Sequence, residues 1–196
     1  MNPDLFHGSQ VHLAAANAET DAEAFVRWRR DSEYLRLFDS GAARSWSLLK
    51  ARDELNDPPV DHWFLFVIRS LADDRLLGLI DLDVDTWAHG NAWVGIALGD
   101  RADWGKGYGT DAMWVALRFA FTELNLHRVS LTVFEYNPRA VRSYEKVGFV
   151  VEGRQRQRQR RDGRWWDSIF MSILKEEWEE RNSKLQIPKV EQRRKT

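Results

Sequence analysis

The chain has 196 residues, 43% of them hydrophobic; that is enough for one sizeable core and favours a single domain. With 29 Lys+Arg against 30 Asp+Glu the formal net charge is -1, so there is no global footprint for nucleic acid or a membrane surface. There is no cysteine, which excludes disulfides, thiolate nucleophiles and cysteine metal sites.

The opening MNPDLFHGSQ has neither the basic nor the apolar region of a signal peptide. No run approaches the ~18 apolar residues of a membrane span, so the expectation is a cytoplasmic protein. QVHLAAA (10–16) alternates enough for a first strand. TDAEAFVRWRRD (20–31) carries acids early and arginines late, with Ala24, Phe25 and Trp28 on one face, an amphipathic helix matched to its own dipole. SWSLLKARDEL (45–55) is a helix starting on a capping Ser45, and the DPP at 57–59 ends it. The period then changes. HWFLFVIRS (62–70), LLGLIDLDV (76–84) and AWVGIALG (92–99) are strands separated by the turns LADDR and HGN, an antiparallel meander.

From 108 to 124 the pattern is helical, with Ala112, Val115, Ala116, Phe119 and Ala120 recurring at three and four. RVSLTVF (128–134) is a β-branched strand. NPRAVRSYEKV (137–147) has an Asn cap, Pro138 at the first helical position and Gly148 beyond its end. The stretches flanking RDG (161–163) read as a hairpin, KEEWEERNSK as a last charged helix and 185–196 as a polar tail.

Between the third meander strand and the long helix lies DWGKGYGTDAM (103–113), with Gly105, Gly107 and Gly109 at alternate positions. It lacks the Lys-Ser/Thr pair of a P-loop and the G-x-G-x-x-G spacing of a dinucleotide fingerprint. A strand end, a tight glycine turn and a helix start nevertheless present bare N–H groups and a helix dipole, which bind anions. Lys106 adds a charge. Glycines that serve turn geometry alone remain an open reading at this point.

One helix and one strand later comes VFEYNPRAVRSYEKVGF (133–149). Strand, glycine loop, helix, strand and then Asn-x-x-Ala-x-x-x-Tyr-x-x-x-Gly-Phe resemble the GNAT superfamily of N-acetyltransferases. WGKGYGTDA, NPRAVRSYEKVGF and the D-x-x-x-M-x-x-L-x-x-E-W ending at 167–178 resemble most its ribosomal-protein N-terminal and spermidine acetyltransferase-like branch. The resemblance covers 76–178 well and the N-terminal region loosely. It implies an α/β (α+β) GNAT fold. That is a mixed, mostly antiparallel sheet of about seven strands, splayed between strands 4 and 5 and flanked by about four to five helices. It also implies one N-acetyltransferase domain over 1–184 followed by the tail, with acetyl-CoA as co-substrate and no metal.

By the same resemblance the superfamily's Gln/Arg-x-x-Gly-x-Gly/Ala loop, which holds the coenzyme's pyrophosphate, falls on Trp104, Gly105, Lys106, Gly107, Tyr108 and Gly109, with Thr110 adding backbone. Trp104 stands where Gln or Arg is usual. A grip made by main-chain N–H groups implies that Trp104→Gln changes coenzyme affinity little and that a bulky residue at Gly107 abolishes it. The splay takes the pantetheine arm against backbone near Ile96, Ala97 and Leu98, which also serves the thioester carbonyl. Asn137 matches the residue contacting pantetheine, besides capping its helix. Arg139 and Arg142 either reach the phosphates or are solvated charge. Tyr144 matches the tyrosine that protonates the departing thiolate; a phenol near pKa 10 outlasts a thiol near 8.5 as a proton holder.

The acceptor amine arrives as ammonium and needs a base. Asp81, Asp83 and Asp85 share one face by strand alternation, and Glu135 ends the fifth strand. Asp83 is the preferred base; the alternative is that all three aspartates form a solvated strand face. Trp28, Asp31, Tyr34, Asp81, Trp87, Trp93 and Glu135 are the candidates for acceptor binding. RQRQRQRR (154–161) alternates strictly from Arg154 to Arg160, which puts four arginines on one strand face. A solvated or subunit-facing hairpin strand, with a homodimer in the second case, ranks ahead of an acidic protein partner, and RNA ranks last given the charge balance.

The sequence therefore points to transfer of an acetyl group to a primary amine, on a small molecule or a protein N-terminus. A non-catalytic acyl-CoA-binding regulator and an RNA- or ribosome-binding module are the alternatives.

Overall fold

Among the described residues seven strands form one sheet in the order β1-β2-β3-β4-β5-β7-β6. The computed structural model describes residues 4–56 and 60–186. β1 (Val11–Ala14), β2 (Trp63–Ser70), β3 (Leu76–Thr86) and β4 (Asn91–Leu98) pair antiparallel as the expected meander. β5 (Arg128–Phe134) runs parallel to β4. β7 (Arg164–Leu174) and β6 (Val150–Arg161) complete the sheet antiparallel.

The β4–β5 pair decides the shape. Only Asn91, Ala92 and Trp93 pair with Arg128, Val129 and Ser130. Beyond them β4 stays with β3 out to Leu98, and β5 stays with β7 out to Phe134. Each strand belongs to its own half-sheet, so the two C-terminal ends diverge and leave an open wedge.

Strand alternation supplies a core on each face. Leu79, Val67 and Ala97 meet Ala22, Phe25 and Trp28 of α1 (Ala18–Trp28) and Ala51 of α3 (Leu48–Leu55). Ile80, Leu82 and Val84 meet Ala112, Met113 and Leu117 of α4 (Tyr108–Arg118). That larger core also takes Val147, at the end of α5 (Pro138–Val147), and Trp178 of α6 (Lys175–Gln186). Among the described residues no helix is long and apolar enough to cross a membrane.

Several elements differ from the expectation. The first helix stops at Trp28 and a separate α2 (Ser32–Phe38) follows, because the Asp31 side chain accepts from Glu33 N–H at 2.9 Å and restarts the chain as a new helix. α3 is capped by Ser47, which accepts from Lys50 N–H at 3.1 Å, and not by Ser45. Residues 57–59, read as the stop, lie outside the described residues. The helix expected to run to 124 changes to a π turn over Phe119–Glu123. Three consecutive residues there, Phe119, Ala120 and Phe121, are buried, which a regular helix cannot do on one face. α6 continues through Gln186, two residues into the expected tail; 187–196 lie outside the described residues.

The arginine strand is the largest departure. Its register against β7 shifts between Gln155 and Gln159, so Arg156, Gln157 and Arg158 stand against a single β7 residue, Asp167. Strict alternation is lost at that bulge and the four arginines do not share one face. Arg154 pairs with Glu135 at 3.1 Å, Arg160 lies over Trp165, and Arg161 donates to the carbonyls of Asp39, Ser40 and Gly41.

Candidate active site

The wedge and the start of α4 frame a groove of about 250 Å³. Gly105 and Gly107 have φ of +78° and +96°, the left-handed region that glycine enters without strain. Gly107 caps α4 with no side chain, so the N–H groups of the first turn stay open. A Cβ there would come within 3.0 Å of Gln10 Nε2. Asp103, 3% exposed, anchors the loop through a two-pronged bond from Arg75 at 2.6 and 3.0 Å. That guanidinium holds the Asp103 carboxyl below its ordinary range.

Trp104 has two contacts that the motif does not reveal. Its Nε1–H donates to Leu98 O at 2.8 Å, and the Arg139 guanidinium lies 4.0 Å over its ring. Arg139, Arg142, Ser143 and Lys146 occupy one face of α5 and line the groove. Thr110 and Ser143 hydroxyls meet at 2.9 Å and tie the start of α4 to α5. Lys106 turns back toward Asp103 at 3.6 Å, and Tyr108 packs against the larger core, so neither side chain forms the groove wall.

The three β4 residues expected to offer backbone divide in two. Gly99 N–H donates to Leu77 O on β3 at 2.9 Å. A Cβ on Gly78 would fall 2.0 Å from Ala97 O, so that carbonyl also faces β3. Alternation then turns Ile96 and Leu98 toward the wedge, and Trp104 occupies the Leu98 carbonyl. Ala97 borders the groove, but its backbone belongs to the sheet.

A second cavity of about 460 Å³ lies on the other side of the wedge and shares Ile96, Asn137 and Tyr144 with the first. Asn137 Oδ1 accepts from Ala140 N–H at 3.2 Å, so it caps α5 where the cavities meet. Among the described residues nothing hydrogen-bonds the Tyr144 hydroxyl, and burial pushes its phenol up to about 12.

Asp81, Asp83 and Trp93 line the second cavity; Asp85 is exposed outside it. The aspartates share a face as expected, yet their surroundings differ. Asp83 is exposed. Asp81 is half-buried; desolvation pushes its carboxyl up to about 6, opposed by the bond from Trp63 Nε1–H at 3.2 Å and aided by the charge of Asp83. Asp81 faces Gly95 across the ladder, and a Cβ on Gly95 would sit 2.5 Å from Asp81 Oδ1. The missing side chain makes room for that carboxylate. Of the two, Asp81 is therefore the more desolvated carboxylate and Asp83 the solvated one.

Several acceptor candidates are elsewhere. Trp28 is 2% exposed and packs on Gly99, Phe25 and Tyr34 as core. Asp31 caps α2 and pairs with Arg101 at 2.5 Å, which holds its carboxyl down at about 2. Tyr34 lines the groove rather than the second cavity. Trp87 is exposed, edge-on to Phe64, outside both cavities. Glu135 accepts from Asp167 N–H and Arg154 and serves the hairpin. Sequence reasoning missed Leu37 and Phe38, which border both cavities from the unforeseen α2, and Ser143 and Lys146. The last two were readable, since they continue the i, i+3, i+4, i+7 face that starts at Arg139.

Comparison with known proteins agrees with this architecture. The chain is 36% identical over 115 residues to "Probable N-acetyltransferase YjcK" of Bacillus subtilis, covering 58% of this chain and 63% of that protein. It is 35% identical over 113 residues to a spermidine N(1)-acetyltransferase of Vibrio cholerae, covering 58% and 64%. The matched segments span just under two thirds of the length of these relatives. The crystal structure of spermidine N-acetyltransferase from Vibrio cholerae in complex with CoA and spermine superposes with a TM-score of 0.74 at 27% identity, covering 87% of this chain and 98% of that one. The model of the acetyltransferase (GNAT) domain matches residues 11–150. With the wedge between β4 and β5 and the glycine loop feeding α4, the chain belongs to the GNAT acetyltransferase family.

Proposed function

We propose that the chain transfers an acetyl group from acetyl-CoA to a primary amine by direct attack in a ternary complex. The observation that carries this reading is the meeting of two unlike cavities at Tyr144, with open helix N–H groups and cationic side chains on one side and Asp81 on the other. The relatives' names add support for a small amine as acceptor. A protein N-terminus is the other acceptor class.

The groove fits a phosphate-bearing thioester. Bare N–H groups after Gly107 suit a pyrophosphate, and Arg139, Arg142 and Lys146 add positive charge. When bound, acetyl-CoA supplies an activated acyl carbon. Asp81 takes the proton of the acceptor ammonium, being ionised above about pH 6. Ile96 offers backbone toward the wedge, where a carbonyl oxygen gaining charge needs a donor. Tyr144 holds its proton at neutral pH and gives it to the thiolate that leaves. No covalent enzyme intermediate is required.

Gly107→Val places a β-branched side chain at φ +96° against Gln10. It weakens coenzyme A binding by about 10- to 100-fold, since relief of a strain of about 1–3 kcal/mol distorts the loop whose N–H groups form the site. Trp104→Gln is now expected to weaken it about three- to tenfold, because the ring that holds Arg139 is lost. Calorimetric titration of both variants with coenzyme A checks the pair. Gly95→Ala drives a Cβ into Asp81 Oδ1; it lowers kcat about tenfold or more with coenzyme affinity unchanged, as displacement of a base does. The reading as a whole is tested by thiol release from acetyl-CoA across amine classes. No release with any amine at any pH from 6 to 9 would sink it.

A further inference from the structure

Two members of the arginine strand, Arg156 and Arg158, are used by neither the sheet nor the hairpin among the described residues. Arg158 lines the second cavity and has no acidic partner among the described residues. The bulge puts it there. Gln157 sits at φ +53°, a conformation costly for a residue with a side chain, and its N–H is held by Asp167 Oδ1 at 3.0 Å. Asp167 is itself fixed by Glu135, which accepts its N–H at 3.1 Å. Clamping Gln157 re-aims the residues on either side of it.

Two further groups stand on the same wall. Gln159 is 7% exposed and Ser168 is 5% exposed, and both line the cavity. Neither side chain has a hydrogen-bond partner among the described residues. Their polar atoms are not sealed in the core but open onto the space a ligand would fill. The opposite wall, across the wedge, holds Asp81 and Asp83, and Asp39 borders the cavity from the end of α2. The cavity therefore has an acidic side and a side where one guanidinium, Arg158, stands with the amides of Gln155 and Gln159 and the hydroxyls of Thr132 and Ser168.

We propose that the acceptor is a zwitterion of the amino-acid class, with its amine at Asp81 and its carboxylate bound by Arg158, Gln159 and Ser168. This rests on the acetyl-transfer reading. A purely cationic acceptor would satisfy Asp39, Asp81 and Asp83 but would leave Arg158, Gln159 and Ser168 without acceptor atoms. A carboxylate matches the guanidinium fork and supplies the acceptor oxygens that the amide and hydroxyl lack. At about 460 Å³ the cavity has room for such a molecule.

The test uses the full chain with acetyl-CoA and matched acceptors: free L-amino acids, their carboxamides and the corresponding decarboxylated amines, with spermidine alongside. Thiol release gives kcat/KM, and calorimetry in the presence of coenzyme A gives binding. The expected result is a preference for carboxylates over carboxamides of about tenfold or more, the worth of a hydrogen-bonded charge pair. Arg158→Gln brings that ratio to about one by raising KM, Arg158→Lys keeps part of it, and Arg156→Gln, on the same bulge outside the cavity, keeps it whole. Better turnover of spermidine or decarboxylated amines than of any amino acid, or a ratio that Arg158→Gln leaves intact, overturns the proposal. Carboxylate-dependent binding without turnover keeps the anion side and removes acetyl transfer. Turnover without carboxylate dependence does the reverse, and neither binding nor turnover removes both.

Discussion

Tyr144→Phe lowers kcat by about 10²-fold or more and leaves the coenzyme A dissociation constant within about twofold. The phenol stands where both cavities meet, makes no hydrogen bond to the described residues, and keeps its proton up to about pH 12 because burial disfavours the phenolate. Its only change in Phe is the loss of that proton donor; the ring still packs near Phe149, whose centroid lies 6.0 Å away. The loss should therefore fall on the step in which sulfur leaves and gains a proton, and spare ground-state binding. Steady-state kinetics paired with titration of coenzyme A separate the two. Wild-type turnover in the Phe variant would mean that the thiolate departs without this donor.

Asp81→Asn lowers kcat/KM at pH 7 by about 10²-fold and removes the acidic limb of the pH profile, which in the wild type should fall away below about pH 6. The same substitution raises thermal stability. The carboxyl is pushed up from 3.8 to about 6 by burial, so the folded state binds its proton more tightly than the unfolded chain does. Stability from this group is full below about pH 4 and declines as pH rises to about 6. Above that the ionised carboxylate is a standing penalty. Two pKa units correspond to about 3 kcal/mol at most, and the side chain's partial contact with solvent reduces this to about 1 kcal/mol. Asn removes the penalty and can still accept from Trp63, so the melting temperature at pH 8 should rise by about 2–4 °C. A variant that loses activity and stability together would point to a structural role for Asp81.

Asp81 and Asp83 show how far the sequence reaches. Alternation places both on one face of β3, and that much is local. Which one loses water depends on what stands opposite. Gly95 on β4 leaves a gap into which the Asp81 carboxylate leans, while Asp83 stays exposed. No spacing rule within β3 carries that information. Trp104 repeats the point: the motif marks it as an exception, and only the packed loop brings its indole to the Leu98 carbonyl and its ring under Arg139.

The elements themselves were largely legible. Periods of 2 and 3.6 locate the seven strands, and the glycine turn, the Asn137 cap, Pro138 and Gly148 mark helix ends through nearest-neighbour chemistry. α2 was not legible, because its cap, Asp31, reads equally well as the end of the preceding helix. The arginine strand shows the limit most clearly. Its alternation is a true period-2 signal, yet Asp167, on the neighbouring strand, holds Gln157 in a left-handed turn and breaks it. From the sequence alone came the strands, the helices other than α2, the glycine loop and the placing of Tyr144 after it, since these rest on backbone preferences and on residues a few positions apart. The tertiary structure alone decided which carboxylate is desolvated, which β4 backbone groups face the wedge and where Arg158 points. Those depend on groups brought together from distant parts of the chain, and burial and charge are properties of that assembly.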